Sequence, residues 1–552
     1  MALARTHAIA LVGVQGHVVE IEADIENGLV ALLLVGLPDT ALREARDRIR
    51  SAILNSQQAW PQRRITVGLS PASLPKRGSI FDLGIAVAIL AAAGSIRAGG
   101  LDGTVFLGEL GLDGRLRPVP GVLPAVAAAA AAGFGRVVTP PENLREAALV
   151  PGVQVVAPPN LTALLDWLAG GGTGRTGGGG GVQVVEPGAG LASLACQDGG
   201  WPAGAGPEGA GLARRGVAGA AGGALAGAAP GGQGRDLADV AGQPVARRAA
   251  EICAAGGHHL MLLGPPGVGK TLLAERVPTI MPELGAGDAL EISAVHSVAG
   301  MLTPARPLIT EPPFCAPHHT ATKAAIVGGG SGIIRPGAAS LAHLGCLFLD
   351  EAPEFDRDVL DALRQPLEAG EVVIARSGVT ARFPARFTLI LAANPCPCAR
   401  ISAAGAGCTC TPLARRRYLA RLSGPLLDRV DVKVELLPVS RTELLSDRRL
   451  AEASKVVAAR VAAARQRAGR RLSGTPWRLN AEIPGSELRR TFRPEPGALA
   501  PLERAMDLGQ ISARGADRII RLSWTLADLA GVDRPRLSEV GYALGLWLGV
   551  AQ

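Results

Sequence analysis

The stretch LMLLGPPGVGKT, from Leu260 to Thr271, decides the fold of the larger part of this chain. Its apolar start reads as a buried strand, which runs into G-x-x-x-x-G-K-[ST], the spacing of a phosphate-binding loop. LLAERVPTIM then follows from Leu272 with helical character. The run Gly264, Pro265, Pro266, Gly267, Val268 and Gly269 lets the backbone curl so that its N–H groups and the helix N-terminus face a β-phosphate. Lys270 reaches the β- and γ-phosphates, and the Thr271 hydroxyl binds Mg²⁺. Strand, loop and helix in this order predict an α/β core that takes ATP and Mg²⁺.

Working outward, CLFLDEAPEF from Cys346 is an apolar strand ending in two adjacent carboxylates. In-line displacement at phosphorus needs a metal clamp and an oriented nucleophile. Asp350 is suited to hold Mg²⁺ through water and Glu351 to polarise the attacking water. FTLILAAN ends at Asn394, a polar residue placed to orient that water. Arg429, in GPLLDRVD, falls where a ring-shaped ATPase presents an arginine finger to the adjacent subunit. Arg514, in SARGADRIIRLSWTLADLAG, opens a helix from which it is expected to reach the phosphates of its own subunit, with Arg518 and Arg521 as weaker candidates.

A chain of 552 residues exceeds one core and divides into several domains. With 48% hydrophobic and 19% charged residues there is ample material for folded cores, although aromatics at 3% leave the packing to Ala, Val and Leu. Residues 1–168 alternate short β-rich runs (Leu32–Gly36, Arg64–Leu69, Thr104–Leu107, Arg136–Val138, Val153–Ala157) with helical stretches such as Ala41–Ser56, and read as one α/β domain. Residues 169–235 collapse into Gly and Ala and read as a flexible linker. GVQVVAP at Gly152 and GVQVVEP at Gly181 form a short local duplication. Residues 236–438 carry the nucleotide motifs, and the mostly helical 439–552 reads as a lid.

The net charge of +8 is spread along the chain and favours polyanions only weakly. The longest apolar run, Leu83 to Gly94, is too short to span a membrane, and the first residues lack a signal pattern, so a cytoplasmic protein with no membrane partner is expected. Four of the eight cysteines form two C-x-C pairs, Cys396/Cys398 and Cys408/Cys410, which would suit Zn²⁺, with free or redox-sensitive thiols as the alternative. His318 and His319, in APHHT, have no second ligand pair and no assigned role.

Taken in order, GPPGVGKT, FLDEAPEF, AANPCPC, GPLLDRVD and SARGADRII resemble the magnesium-chelatase-like AAA+ ATPases known as the YifB or ComM family. EISAVHSVAG at Glu291, APHHT at Ala316, IVGGGS at Ile326 and LRQPLEAGEVVIARSGVTARFPARF at Leu363 extend the resemblance over nearly the whole chain except the linker. It implies an AAA+ core with a C-terminal helical lid, a homohexameric ring with ATP sites between subunits, and a pore hairpin over EVVIARSGVTARF, where Arg376 and Arg382 would touch nucleic acid, with a solvated hairpin carrying incidental arginines as the alternative. ComM-type members resemble helicases that drive branch migration of DNA, which makes DNA the expected partner. Two other readings stand beside it: a chelatase-like motor remodelling a protein partner, and a nucleotide-dependent scaffold. The set Lys270, Asp350, Glu351 and Arg429 argues against the scaffold, since a pure binder needs neither water activator nor finger.

The amino-terminal segments ITVGLSPASLPKRGSIFDLGIAVAIL and FLGELGLDGRLRPVPGVLPAVAAAAAAGF resemble the proteolytic domain of Lon-type proteases, a variant of the ribosomal S5 domain 2-like fold. The resemblance puts Asp82 at the serine position and Leu123 at the lysine position, with Ser79 and Lys76 nearby. Without a hydroxyl and its activating base there is no peptidase chemistry. A binding or ring-stabilising module is expected instead.

Overall fold

The computed structural model describes residues 2–36, 39–76, 78–96, 100–170, 181–187, 234–330, 334–376, 379–398, 408–439, 447 and 451–550. The amino-terminal part is built on an eight-stranded mixed sheet in the order Gln183–Val185, Gln154–Ala157, Arg136–Val138, Thr104–Phe106, Ala2–Val12, Gln15–Glu26, Arg64–Ser70, Ala31–Val35. Ala2–Val12 and Gln15–Glu26 form a long antiparallel hairpin at its centre. Both faces are covered, so Ala8 and Ala10 point into one core and Ile9 into the other. The apolar run from Leu83 is the helix Asp82–Ala92, buried on nearly every side beneath this sheet. Among the described residues no helix is long and apolar enough to cross a membrane.

The expected linker needs a correction at residues 181–187. The second copy of the duplicated heptapeptide forms Gln183–Val185, which pairs antiparallel with Gln154–Ala157 and adds an edge strand. Its VQVV pattern presents Val185 to the core, which bulk composition of the surrounding glycines conceals. Residues 171–180 and 188–233 of that segment lie outside the described residues.

The second sheet is fully parallel, in the order Phe314–Cys315, Cys346–Leu349, Thr388–Ala393, Leu260–Leu263, Val432–Glu435. A hairpin, Glu371–Arg376 with Val379–Pro384, precedes the central strand. The helices Ser454–Arg471, Ala513–Ala530 and Leu537–Leu548 share one apolar core with Leu260, Ile390 and Val432 of the sheet, so the carboxy-terminal helices pack directly on the ATPase core. The first sheet also touches this core. Leu11 and Val12 pack against Ala381 and Phe383 of the hairpin, and the Gly121 N–H donates to the Ser297 carbonyl at 2.9 Å.

Candidate nucleotide site

Parallel strands present their carboxyl ends on one edge, and that is where the motifs converge. The strand Leu260–Leu263 ends at Gly264, whose N–H is bonded to the Ala393 carbonyl at 3.1 Å. A Cβ on Gly264 would lie 2.6 Å from the Leu436 carbonyl oxygen, so the loop can enter only through glycine. Gly267 and Gly269 have φ of +81° and +96°, the left-handed region a phosphate loop must visit. The helix Lys270–Ala274 begins directly after them.

Lys270 Nζ donates to the carbonyls of Gly264 (2.6 Å) and Pro265 (2.9 Å) and to Asn394 Oδ1 (3.0 Å). Burial lowers its pKa from the ordinary lysine value, against the opposing pull of Asp350 and Glu351. Thr271 Oγ1 donates to Asp350 Oδ2 at 2.7 Å. The Asp350 Oδ1 accepts from the Glu351 N–H at 2.9 Å, and Glu351 itself sits at φ +50°. Lys270, Thr271, Asp350, Glu351 and Asn394 thus meet at the ends of three adjacent strands, Leu260–Leu263, Cys346–Leu349 and Thr388–Ala393. The curled loop with an ammonium at its centre fits a polyphosphate, and a hydroxyl beside a carboxylate fits Mg²⁺.

The arginines lie elsewhere. Arg429 is paired with Glu368 of its own chain and donates to the Pro425 carbonyl. It precedes the strand Val432–Glu435, which runs parallel to Leu260–Leu263, so it sits at the amino end of the sheet, opposite the phosphate loop. Arg518 donates to the Arg429 carbonyl (2.9 Å) and to Asp431 Oδ1 (2.7 Å). Arg514 is exposed one helical turn earlier, and residues four apart on a helix are neighbours. Arg514 thus stands on the helix Ala513–Ala530 one turn before the residue that ties this helix to Arg429 and Asp431. Arg521 is turned inward, donating to the Ile483 carbonyl at 2.6 Å.

Two residues join the site without having been assigned a place in it. His319 Nδ1 lies 3.4 Å from Glu351 Oε2. Tyr418, one of two tyrosines in the chain, is buried beside Asn394; that burial, with Glu354 and Glu351, pushes its phenol up to about 12. The signal for the first is the APHHT motif itself, and for the second the rarity of aromatics.

On the hairpin, Arg376 Nη1 donates to the Gly330 carbonyl at 2.7 Å, and Arg382 pairs with Glu371 at 2.5 Å. Nearby, the sulfurs of Cys396, Cys398, Cys408 and Cys410 all lie within 4.8 Å of one another. The separations Cys396–Cys398 (3.3 Å), Cys398–Cys408 (3.6 Å) and Cys396–Cys408 (3.4 Å) approach the ~3.8 Å between sulfurs of a tetrahedral zinc site with bonds of ~2.3 Å. The Cys410 N–H, then Cys396, lowers the Cys408 thiol to about 6, which favours the thiolate that a metal needs.

In the amino-terminal domain Asp82 is buried and held by Arg48 at 2.8 Å. Ser79 donates to Glu109, while Lys76 Nζ is bonded to the Pro71 and Leu74 carbonyls, so serine and lysine serve different partners. Leu123 is buried.

Comparison with known proteins follows the same division. Residues 236–444 match the family profile "Magnesium chelatase, subunit ChlI", residues 451–546 the profile of its C-terminal part, and residues 21–143 "Subunit ChlI of Mg-chelatase". The chain is 38% identical to competence protein ComM of Haemophilus influenzae, over 98% of this chain and 97% of that protein. It is 37% identical to the uncharacterized protein YifB of Escherichia coli, over 96% of this chain and 94% of that one. Similarity to the magnesium-chelatase 38 kDa subunit of Rhodobacter capsulatus is 24% and covers 25% of this chain and 43% of that subunit.

Proposed function

This chain belongs to the YifB/ComM family of magnesium-chelatase-like AAA+ ATPases, and from that premise we propose that it is an ATP-hydrolysing ring motor acting on DNA. The observation that carries the proposal is the meeting of Lys270, Thr271, Asp350, Glu351 and Asn394 on one sheet edge, with Arg429 at the opposite end of the sheet. A single subunit then holds half of a site, and a neighbour in a ring supplies the arginine. Bound ATP with Mg²⁺ provides the activated phosphoanhydride. Lys270 would exchange its two carbonyl partners for phosphate oxygens, Thr271 and Asp350 would hold the metal, Glu351 would take up the proton of the attacking water, and Asn394 would orient that water. Arg429 leaves the exposed Glu368 to neutralise charge on the neighbour's phosphates.

DNA is favoured as the partner because the likeness to a protein named for competence runs through the amino-terminal domain and hairpin as well as the motor. Arg376 and Arg382 of that hairpin are the proposed nucleic-acid contacts, and a homohexamer is the proposed ring. The four cysteines form a Zn²⁺ site that stiffens the connection after Asn394.

Turnover measured with and without single-stranded and branched DNA tests the reading. Stimulation and strand movement are expected; if DNA neither binds nor stimulates, the DNA assignment fails. Glu351→Gln is expected to trap ATP-bound rings and Lys270→Ala to abolish nucleotide binding. Turnover surviving both changes would mean that hydrolysis happens elsewhere.

A further inference from the structure

Between the amino-terminal sheet and the motor lies a cavity of about 210 Å³. One wall is the end of the strand Ala2–Val12, with Ile9 and Leu11; the facing wall is Val298, Val379 and Ala381 of the motor. Its rims are pinned. At one, the Gly13 backbone sits so close to the hairpin that a Cβ there would lie 2.6 Å from the Arg382 carbonyl oxygen. At the other, the Gly121 N–H donates to the Ser297 carbonyl at 2.9 Å. Both are contacts of backbone with backbone, so the walls cannot close by turning a side chain. Close-packed interiors leave few voids larger than a water molecule, and the clefts that persist between domains are where small ligands bind.

The polar inventory of this cavity is short. Among the described residues that line it, Arg376 carries the only charge and none is aromatic. A guanidinium has five N–H donors, of which one goes here to the Gly330 carbonyl at 2.7 Å. Ser79 also lines the cavity, but its hydroxyl donates to Glu109 and has no hydrogen left to offer. Such walls suit neither a sugar, which needs several hydrogen-bond partners, nor a base, which needs a ring to stack on. They suit an aliphatic chain with an anionic end. An apolar cavity of ~150 Å³ accepts benzene, so by proportion this one holds about eight carbons.

We propose that the cavity is a binding site for a straight-chain carboxylate of about eight carbons, with the chain between Leu11 and Ala381 and the carboxylate on Arg376. A carboxylate displaces the neutral Gly330 carbonyl from the guanidinium because a charge-assisted hydrogen bond is roughly twice as strong. The bound chain touches both domains and so strengthens their docking. It also competes with phosphate for Arg376, and this consequence alone rests on the DNA reading.

Titration calorimetry on the full-length protein tests the site, with hexanoate, octanoate, dodecanoate and n-octanol as probes. Affinity is expected to rise about four-fold per methylene up to octanoate and to level off by dodecanoate. Exchanging octanoate for n-octanol, or Arg376 for Ala, should each weaken binding about ten-fold. Val298→Phe and Val379→Phe fill the cavity from two different elements, and each should weaken octanoate by more than about ten-fold, the worth of two methylenes. Val379 is half-exposed, so the second variant keeps its fold even if the first does not. Affinity that still climbs at dodecanoate, or that survives in both filled variants, means adsorption to the surface and overturns the site. So does a parent that shows no saturable octanoate binding. n-Octanol binding as tightly as octanoate overturns the carboxylate class. Octanoate is also expected to weaken binding of a fluorescent poly(dT) strand. If octanoate saturates the parent and poly(dT) binding is absent or unmoved, the site stands and Arg376 is no DNA contact.

Discussion

Arg518 grips the backbone of Arg429: its Nη1 donates to the Arg429 carbonyl at 2.9 Å while also pairing with Asp431 at 2.7 Å. The helix Ala513–Ala530 and the proposed arginine finger therefore share one anchor. Arg429→Ala is expected to lower turnover by about 10³-fold or more, the worth of an arginine finger, with ATP binding retained. The decisive measurement is mixing. Neither Arg429→Ala nor Lys270→Ala chains turn over alone, but a mixed ring contains interfaces where a sound phosphate loop meets a sound arginine. Absence of recovered activity on mixing would place Arg429 outside the site.

His259 supplies a pH dependence. It is half-buried, and desolvation lowers its pKa to about 4, with Asp431 opposing and Arg518 reinforcing the shift. Its Nδ1 accepts the Leu389 N–H at 3.0 Å, which requires an unprotonated nitrogen. Between the ordinary value of 6.5 and about 4 the unfolded chain takes up a proton that the folded chain does not. Stability is thus full above that window and declines as pH falls through it, by up to about 3 kcal/mol from this residue. His259→Asn keeps an acceptor and cannot titrate. Urea midpoints followed by tryptophan fluorescence should lose part of their slope between pH 6.5 and 4 in that variant; an unaltered slope would assign it to other groups.

How much of this was legible beforehand depends on whether a feature is local. The phosphate loop, the strand ending at Asp350 and Glu351, and the strand ending at Asn394 each advertise themselves within ten or so residues, because a buried parallel strand is a continuous apolar run. The central hairpin Ala2–Val12 with Gln15–Glu26 is a contrasting case. Ala8, Ile9 and Ala10 are all buried because both faces are covered, which erases alternation in the first strand. Ile21, Ala23 and Ile25 set against Glu20, Glu22 and Asp24 were the available signal in the second. The contacts of His319 with Glu351, and of Arg518 with Arg429, follow from strand order and helix docking, which no local pattern encodes.

The cysteine cluster predicts bound metal. With four sulfurs within 4.8 Å and one thiol lowered to about 6, the purified protein should carry about one zinc per chain. Cys408→Ser is expected to lower that content and raise protease cleavage near residue 400. A metal-free protein whose four thiols all react rapidly with a thiol reagent would show instead an open cluster.

The contact between the two sheets makes the last prediction. Glu146 is buried and accepts from the Leu123 N–H (2.9 Å), Asn143 Nδ2 (3.1 Å) and, across the boundary, the Ser297 hydroxyl. Ser297→Ala takes one donor from a buried carboxylate, at a cost of about 1–3 kcal/mol to the docked arrangement. Gly121 stands beside it with φ +82°, and a Cβ there would lie 2.3 Å from Leu11 Cδ1. Gly121→Ala therefore adds backbone strain and a clash with the strand that supports the hairpin. Both variants should speed hydrogen exchange in residues 119–123 and 295–300 while leaving the interior of the first sheet protected. Leu11 and Val12 pack on Ala381 and Phe383, so undocking also removes a wall from the hairpin. DNA stimulation of turnover should consequently fall more than DNA-free turnover does. Equal loss of both would mean that the amino-terminal domain supports the fold of the motor without steering the hairpin.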